Sequence, residues 1–319
     1  KGTGRPYSIP VSEDMCGRVI DVEGNSVDGM VQTWGGSKSE FSCIESDIPG
    51  VIDRVPVSKP ITTGVLLIDS IVPIGKGQRQ LFIGNRGTGK TTLISDIIVN
   101  QKADDVLCIY VAISQKQADI ANIVYYFEKK DVMDNCIVIL ADAGKPALHH
   151  YLAPYVGMTL AEYFSKKHKR DVLVVFDDLS NHAVAYREMS LLMRTSPARE
   201  AYPGDIFYAH ARLLERSGAF MGSGSITALP IAQLQDDDIT GYISTNLISI
   251  TDGQMFFDTK LFNSGILPAI NTELSVSRVG GSAQPESIRK LSGALRLNLA
   301  EYHELSVFLQ FGGDLDDET

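Results

Sequence analysis

Residues Gly84-Asn85-Arg86-Gly87-Thr88-Gly89-Lys90-Thr91, followed by Thr92, complete the G-x-x-x-x-G-K-[ST] pattern of a phosphate-cradling loop. The chemistry asks for these residue types. Glycines let successive backbone N–H groups turn toward phosphate oxygens, Lys90 adds a compact positive charge, and the Thr91 hydroxyl reaches a magnesium ion. The same letters are open to a second reading, a Gly-rich turn that binds nothing, and their flanks weigh against it. Leu81-Phe82-Ile83 is a short apolar run, and Leu93, Ile94, Ile97 and Ile98 recur at helical spacing. Strand, loop and helix in that order put a helix N-terminus, with its unpaired N–H groups and dipole, where phosphates would sit.

A nucleotide site of this kind holds Mg2+ partly through an aspartate at the end of a buried strand, and Val172-Leu173-Val174-Val175-Phe176-Asp177-Asp178 has that form. Asp177 is the candidate metal-shell residue alongside Thr91. The competing use of either aspartate is to cap the helix expected from Asn181 to Met193. Hydrolysis also needs a group that polarises the attacking water, often a carboxylate at the tip of the strand beside the loop's own strand. The strand ending at Ile113 delivers Ser114-Gln115-Lys116 to that place. An amide at Gln115 can hydrogen-bond but accepts no proton, so two readings stand: a site that binds without rapid turnover, or a plain surface glutamine.

The elements that must position these groups alternate. Val106 to Ile113, Cys136 to Leu140 and Val172 to Phe176 read as strands, with helical patterns from Ala118 to Tyr126 and from Tyr151 to Phe164 between them. Near-continuous apolar strands are buried on both faces, which predicts a mainly parallel sheet sandwiched by helices. Ser225 to Ile231 and Leu247 to Ile250 are expected to extend that sheet, and a helix is expected from Glu286 onward, ending in the acidic tail Asp314 to Glu318. The expected division is a loop-rich lead-in over residues 1–75, the nucleotide-binding core over 76–284 and the start of a helical domain over 285–319.

A chain of 319 residues, 44% of them hydrophobic, can bury a large core. No apolar run reaches the roughly 20 residues of a membrane span, and Lys1 to Pro6 carries no apolar leader segment, so any membrane link is expected to pass through partners. The net charge of −10 argues against a nucleic-acid partner. Cys16, Cys43, Cys108 and Cys136 lack metal-ligand spacing and read as reduced thiols, and His149-His150 reads as solvated or capping rather than metal-binding.

Taken together, these motifs resemble the alpha subunits of F-type rotary ATP synthases, over nearly the whole sequence. The resemblance rests on Gly17 to Asp21 with Gly24-Asn25 and Asp28-Gly29, on Asp69 to Gln80 with the phosphate loop, and on Asp177 to Ser180 through Ala185-Tyr186-Arg187. It continues through Arg199 to Asp205, Arg212 to Arg216, Ser225 to Pro230, Ile248 to Gln254, Pro268 to Asn271 and Ser275 to Gly280. It implies an α/β, RecA-like P-loop NTPase core that holds ATP or ADP with Mg2+, in a ring where alpha and catalytic beta-type subunits alternate around a gamma-type central stalk. It implies a place peripheral to an energy-coupling membrane, on the cytoplasmic side of a bacterial plasma membrane or its mitochondrial or plastid equivalent.

The resemblance also implies roles for single residues. Gln115 falls where the beta subunit has its catalytic glutamate, which points to a non-catalytic site. Arg278 matches the arginine finger that reaches a neighbouring beta site, and Phe262 matches a residue near the bound base. Asn85 and Gly87 stand where the family usually has aspartate and glutamine, and Leu267 where alpha subunits usually have an arginine near the base; the first two bear on tightness of binding, the last on adenine preference. Against the family's usual extent, the sequence is expected to begin after an amino-terminal β-barrel and to end early in the helical domain, as a trimmed core or as an unusual paralogue. Two other expectations share the fold: a self-sufficient hexameric ATPase of an export motor, which Gln115 opposes, and a motor on single-stranded nucleic acid resembling the terminator Rho, which the acidic balance opposes.

Overall fold

The phosphate loop leaves the third strand of an eight-stranded sheet, and the sheet explains where everything else stands. A computed structural model describes residues 6–36 and 39–310, with residues 303, 304 and 306–310 described by backbone alone. The acidic tail Asp314 to Glu318 and residues Lys1 to Arg5 lie outside the described residues.

In chain order the strands and α-helices are β1 Ser8–Val11, β2 Val19–Ile20, β3 Glu40–Cys43, β4 Pro60–Ile61, α1 Leu66–Ile71, β5 Ile74–Gly75 and β6 Gln80–Gly84. Then come α2 Lys90–Asn100, β7 Leu107–Gln115, α3 Gln117–Lys129, β8 Cys136–Asp142, α4 Ala147–Lys167, β9 Val172–Asp177 and α5 Leu179–Leu192. The chain continues through α6 Ile206–Leu214, β10 Ile226–Gln233, α7 Tyr242–Ile250, β11 Gly253–Phe257, α8 Thr259–Asn263, β12 Ile270–Ser277 and α9 Glu286–Gln310. The large sheet runs β12-β11-β6-β10-β9-β7-β8-β2, parallel throughout except that β12 pairs antiparallel with β11.

Alternation of side chains along each strand sorts the core into two layers. Ile109, Val111, Val174 and Phe176 pack on one face with residues of α4, α5 and α6, while Tyr110, Ala112, Leu173 and Val175 pack on the other with residues of α1, α2 and α3. Burial on both faces is what the unbroken apolar runs demanded, and each such side chain contributes roughly 1.5–3 kcal/mol. The result is the α/β, RecA-like core, followed by the long helix α9.

Two expectations are corrected. Leu247 to Ile250 is not a strand: it ends α7, where Ile243, Leu247 and Ile250 fall at helical intervals and bury one side of the helix. The strand is the next segment, Gly253–Phe257. The strand that delivers Gln115 is not beside the phosphate-loop strand either, because β10 and β9 lie between β6 and β7. β6 and β7, neighbours among the large-sheet strands in sequence, are not neighbours in the sheet, since β10 and β9 from later in the chain lie between them.

Candidate functional site

Why the loop after β6 holds its shape follows from two glycines. At Gly84 a Cβ would lie 2.5 Å from the Phe257 carbonyl oxygen, so the strand end can pass β11 only without a side chain. At Gly89 the backbone is left-handed, φ +87°, and the next residue starts α2. The backbone thus turns sharply onto the N-terminus of an eleven-residue helix, whose first N–H groups have no partner within the helix.

The loop opens on a cavity of about 610 Å³. Of the residues expected at a nucleotide site, Arg86, Gly87, Gly89, Lys90, Thr91, Thr92, Gln115, Asp177 and Phe262 line it. Gly84, Asn85 and Thr88 act behind it. The Gly84 carbonyl accepts from Lys90 Nζ at 2.7 Å, and the Thr88 hydroxyl donates to the Asn85 carbonyl at 2.9 Å. The Asn85 side chain turns away, donating to Thr259 Oγ1 at 3.1 Å and accepting the Asp237 N–H at 3.0 Å.

The paired aspartates divide their work. Asp178 caps α5, its Oδ1 accepting the Asn181 N–H at 2.7 Å, and also accepts from Gln233. Asp177 faces the loop instead: its Oδ2 accepts from the Thr91 hydroxyl at 3.1 Å and from the Tyr110 hydroxyl. Both carboxyls are buried, and burial raises both; Asp178, with the Asp177 charge beside it, is pushed up to about 7. Burial also lowers Lys90 to about 8, against the nearby aspartate charges that hold it up. A desolvated carboxylate pair next to a hydroxyl is a place where a divalent cation's charge is favourable.

Gln115 reaches this cluster through a bulge. Ser114 has φ +57°, the register against β8 shifts between Ile113 and Gln115, and the Gln115 amide points its Nε2 at the Asp177 carbonyl and Oδ1, 3.4 Å from each. Phe262, from α8, borders the cavity near Gly89. Leu267, in the turn after α8, is exposed.

Arg278 lies elsewhere. It is an exposed residue just past β12, on the antiparallel edge of the sheet, and does not line the cavity. Its Nη1 donates to the Thr251 carbonyl at 3.1 Å and its N–H to the Asp252 carbonyl at 3.0 Å. Arg79 at the foot of β6 clamps the Asp252 carboxylate bidentately, donating from Nε and Nη2 at 3.0 and 2.8 Å, and so fixes the turn on which Arg278 rests.

Sequence reading missed Tyr110, Asn181, Gln233, Asp237 and Thr259. A signal existed for Gln233: it ends the apolar β10 run as Asp177 ends β9. Tyr110, inside an apolar run, gave none. His150 is buried, its Nε2 2.9 Å from the Asp142 carbonyl oxygen, and all four cysteines are free thiols. Among the described residues no helix is long and apolar enough to cross a membrane.

Comparison with known proteins agrees with this geometry. Residues 64–277 match the ATP synthase alpha/beta family, nucleotide-binding domain, and residues 284–319 match the ATP synthase alpha/beta chain, C terminal domain. Over 323 residues the chain is 55% identical to the ATP synthase subunit alpha of Clostridium acetobutylicum, a match covering 100% of this chain and 63% of the relative. It is 53% identical over 317 residues to the sodium ion specific ATP synthase subunit alpha of Acetobacterium woodii, covering 99% of this chain and 62% of that protein. The corresponding subunit of Acetivibrio thermocellus is 52% identical over 322 residues, with 100% and 63% covered. The chain therefore spans about 63% of the length of the curated relatives it matches. With the phosphate loop, the paired strand-end aspartates and these matches in hand, the chain belongs to the ATP synthase alpha/beta family.

Proposed function

We propose that this chain is an alpha-type subunit of a rotary ATP synthase, binding a magnesium nucleotide that it does not itself turn over and lending Arg278 to the catalytic site of an adjacent beta-type subunit. The residues present fit the nucleotide: the α2 N-terminus and Lys90 for the phosphates, Thr91 and Asp177 for Mg2+, Phe262 for the base. Held by Thr91 and Asp177, the ion would supply positive charge against the phosphates. Arg86 and Thr92 line the same cavity beside the loop.

Gln115 carries the non-catalytic reading. Its amide lies 3.4 Å from Asp177 Oδ1, in position to hydrogen-bond a water but with no basic group to take a proton from it. Lys90, Thr91 and Asp177 can bind and orient the phosphates, while the position of Gln115 offers an amide where activation of a nucleophile would call for a carboxylate. Arg278 supports the second half of the reading. It is charged, exposed, held by two backbone carbonyl contacts and outside the chain's own cavity, which suits a group that meets developing charge on a neighbour's phosphoryl oxygens. The ring with beta-type subunits, the gamma-type stalk and the peripheral attachment to an energy-coupling membrane belong to the same proposal.

The test is calorimetric binding of Mg-ATP to the chain alone beside steady-state ATP turnover, without and with the beta-type partner from the same source. Binding without turnover alone, and turnover on mixing, is the expected result. Rapid turnover by the chain alone overturns it in favour of a self-sufficient motor.

A further inference from the structure

Behind the cavity, three side chains from three separate segments close a ring of hydrogen bonds. Asn85 of the phosphate loop donates from Nδ2 to Thr259 Oγ1 at 3.1 Å, and the Thr259 hydroxyl donates onward to Asp237 Oδ1 at 3.1 Å. The Asp237 N–H returns to Asn85 Oδ1 at 3.0 Å. Every donor has one acceptor, and the hydroxyl proton is committed to Asp237, so the residue at 85 must both donate and accept. Asparagine does both; an aspartate there would have no proton to give and would face the Asp237 carboxylate.

The ring has consequences on two sides. Thr259 is the first residue of α8, a five-residue helix that carries Phe262 against the cavity. A helix that short is not stable by its own propensity, so its placement depends on outside anchors. On the other side, Asp236 and Asp237 both hold left-handed backbone, φ +53° and +57°, a conformation that costs free energy and persists where neighbouring contacts impose it.

We infer that Asn85 is a positioning residue: through Thr259 and Asp237 it fixes α8, and with it Phe262, so that this ring sets how strongly the site prefers a complete nucleotide over a bare polyphosphate. The inference rests on the nucleotide-binding reading above. It assigns to the loop's second residue a task at the base end of the site, distinct from the phosphate contacts of its neighbours.

The experiment measures Kd for Mg-ATP and for magnesium tripolyphosphate on the full chain, unaltered and as Thr259→Val, Thr259→Ser, Asn85→Ala and the Asn85→Ala/Thr259→Val double variant, with melting curves as the folding control. Loss of a hydrogen-bond anchor of this kind predicts that Thr259→Val weakens Mg-ATP binding about 3- to 10-fold and tripolyphosphate binding less than about 2-fold. Thr259→Ser, which keeps the hydroxyl, restores the ratio, and the double variant lowers the ratio no further than the larger single loss, since one ring is already open. Equal weakening of both ligands, an unchanged ratio, or additive losses overturns the inference while leaving nucleotide binding standing. Failure of the unaltered chain to bind either ligand overturns the nucleotide reading itself, and this inference with it.

Discussion

The cavity at the head of β6 and the edge at Arg278 are built on opposite terms. In the cavity, Lys90, Asp177 and Asp178 are buried charges held close to one another, each displaced from its usual protonation range by desolvation. At the edge, Arg278 is exposed and is anchored through two backbone carbonyls, on a turn stiffened by the Arg79–Asp252 clamp. Buried charges are costly to desolvate, and two carboxyls here face one ammonium, so the first region suits something cationic that enters it. The second has its charge already solvated and its backbone already set, so it is organised around something it must meet. On the proposed reading, one chain thus carries a site that binds without turnover and a cation that serves a neighbour's site.

The sharpest way to break that contrast is Arg278→Ala. In the assembled ring it is expected to lower ATP turnover by about 10³- to 10⁵-fold, the range of arginine-finger losses, while Mg-ATP binding by this chain alone is unchanged. Turnover assays on the ring and calorimetry on the isolated variant check the two halves separately. A loss of binding by the isolated chain would mean that the edge and the cavity are one site after all.

Acid separates the regions by a different route. His182 of α5 and His210 of α6 are fully buried, with His182 Nδ1 3.1 Å from His210 Nε2, and the rings packed on His182 are the uncharged Tyr151 and Tyr155. Burial holds His182 well below its usual value, with the His210 charge adding to it, and lowers His210 to about 4. An unfolded histidine takes its proton near 6.5, so between about 4 and 6.5 the unfolded chain binds more protons than the folded one. Stability is therefore complete above about pH 6.5 and falls as pH drops through that window, by roughly 3 kcal/mol from His210 alone. Urea unfolding at stepped pH checks this, and a His210→Gln variant with an unchanged slope would refute it. Because α5 begins at the Asp178 cap, nucleotide binding is expected to fade in acid before the β11–β12 edge opens to amide exchange.

How much of this was legible in the sequence depends on how local the cause was. The phosphate loop, α2 and the Asp177 strand end were readable because glycine conformation, helical spacing and two-sided burial act over a few neighbouring residues. The sequence offered Asp177 for the metal shell and either aspartate for the helix cap; the Asn181 contact gives the cap to Asp178 and leaves Asp177 facing Thr91. Strand order was not readable, since the insertion of β10 between β6 and β9 is a long-range choice. The segment Leu247 to Ile250 misled because four apolar-rich residues do not distinguish the end of a helix from a strand without Ile243 in view. Tyr110 and the Asn85, Thr259 and Asp237 ring were invisible for the same reason as strand order: their partners are brought together only by the finished sheet.

The smallest expected effect tests what Gly87 contributes to the cavity. Its φ is +82°, but a Cβ added there meets nothing within 4 Å, so conformation is the only obstacle to a side chain. Left-handed backbone costs an ordinary residue about 1–2 kcal/mol, and Gly87→Ala is expected to lower stability by about that much in denaturant titrations. Gly87→Gln pays the same conformational penalty but places an amide at the cavity wall, where it can donate to a phosphate oxygen. Equal stability losses in the two variants, with tighter Mg-ATP binding only in Gly87→Gln, would show that this wall is shaped by what enters it. Equal binding in both would mean that the loop's backbone and Lys90 already satisfy the phosphates, and that the cavity differs from the Arg278 edge in its burial rather than in its reach.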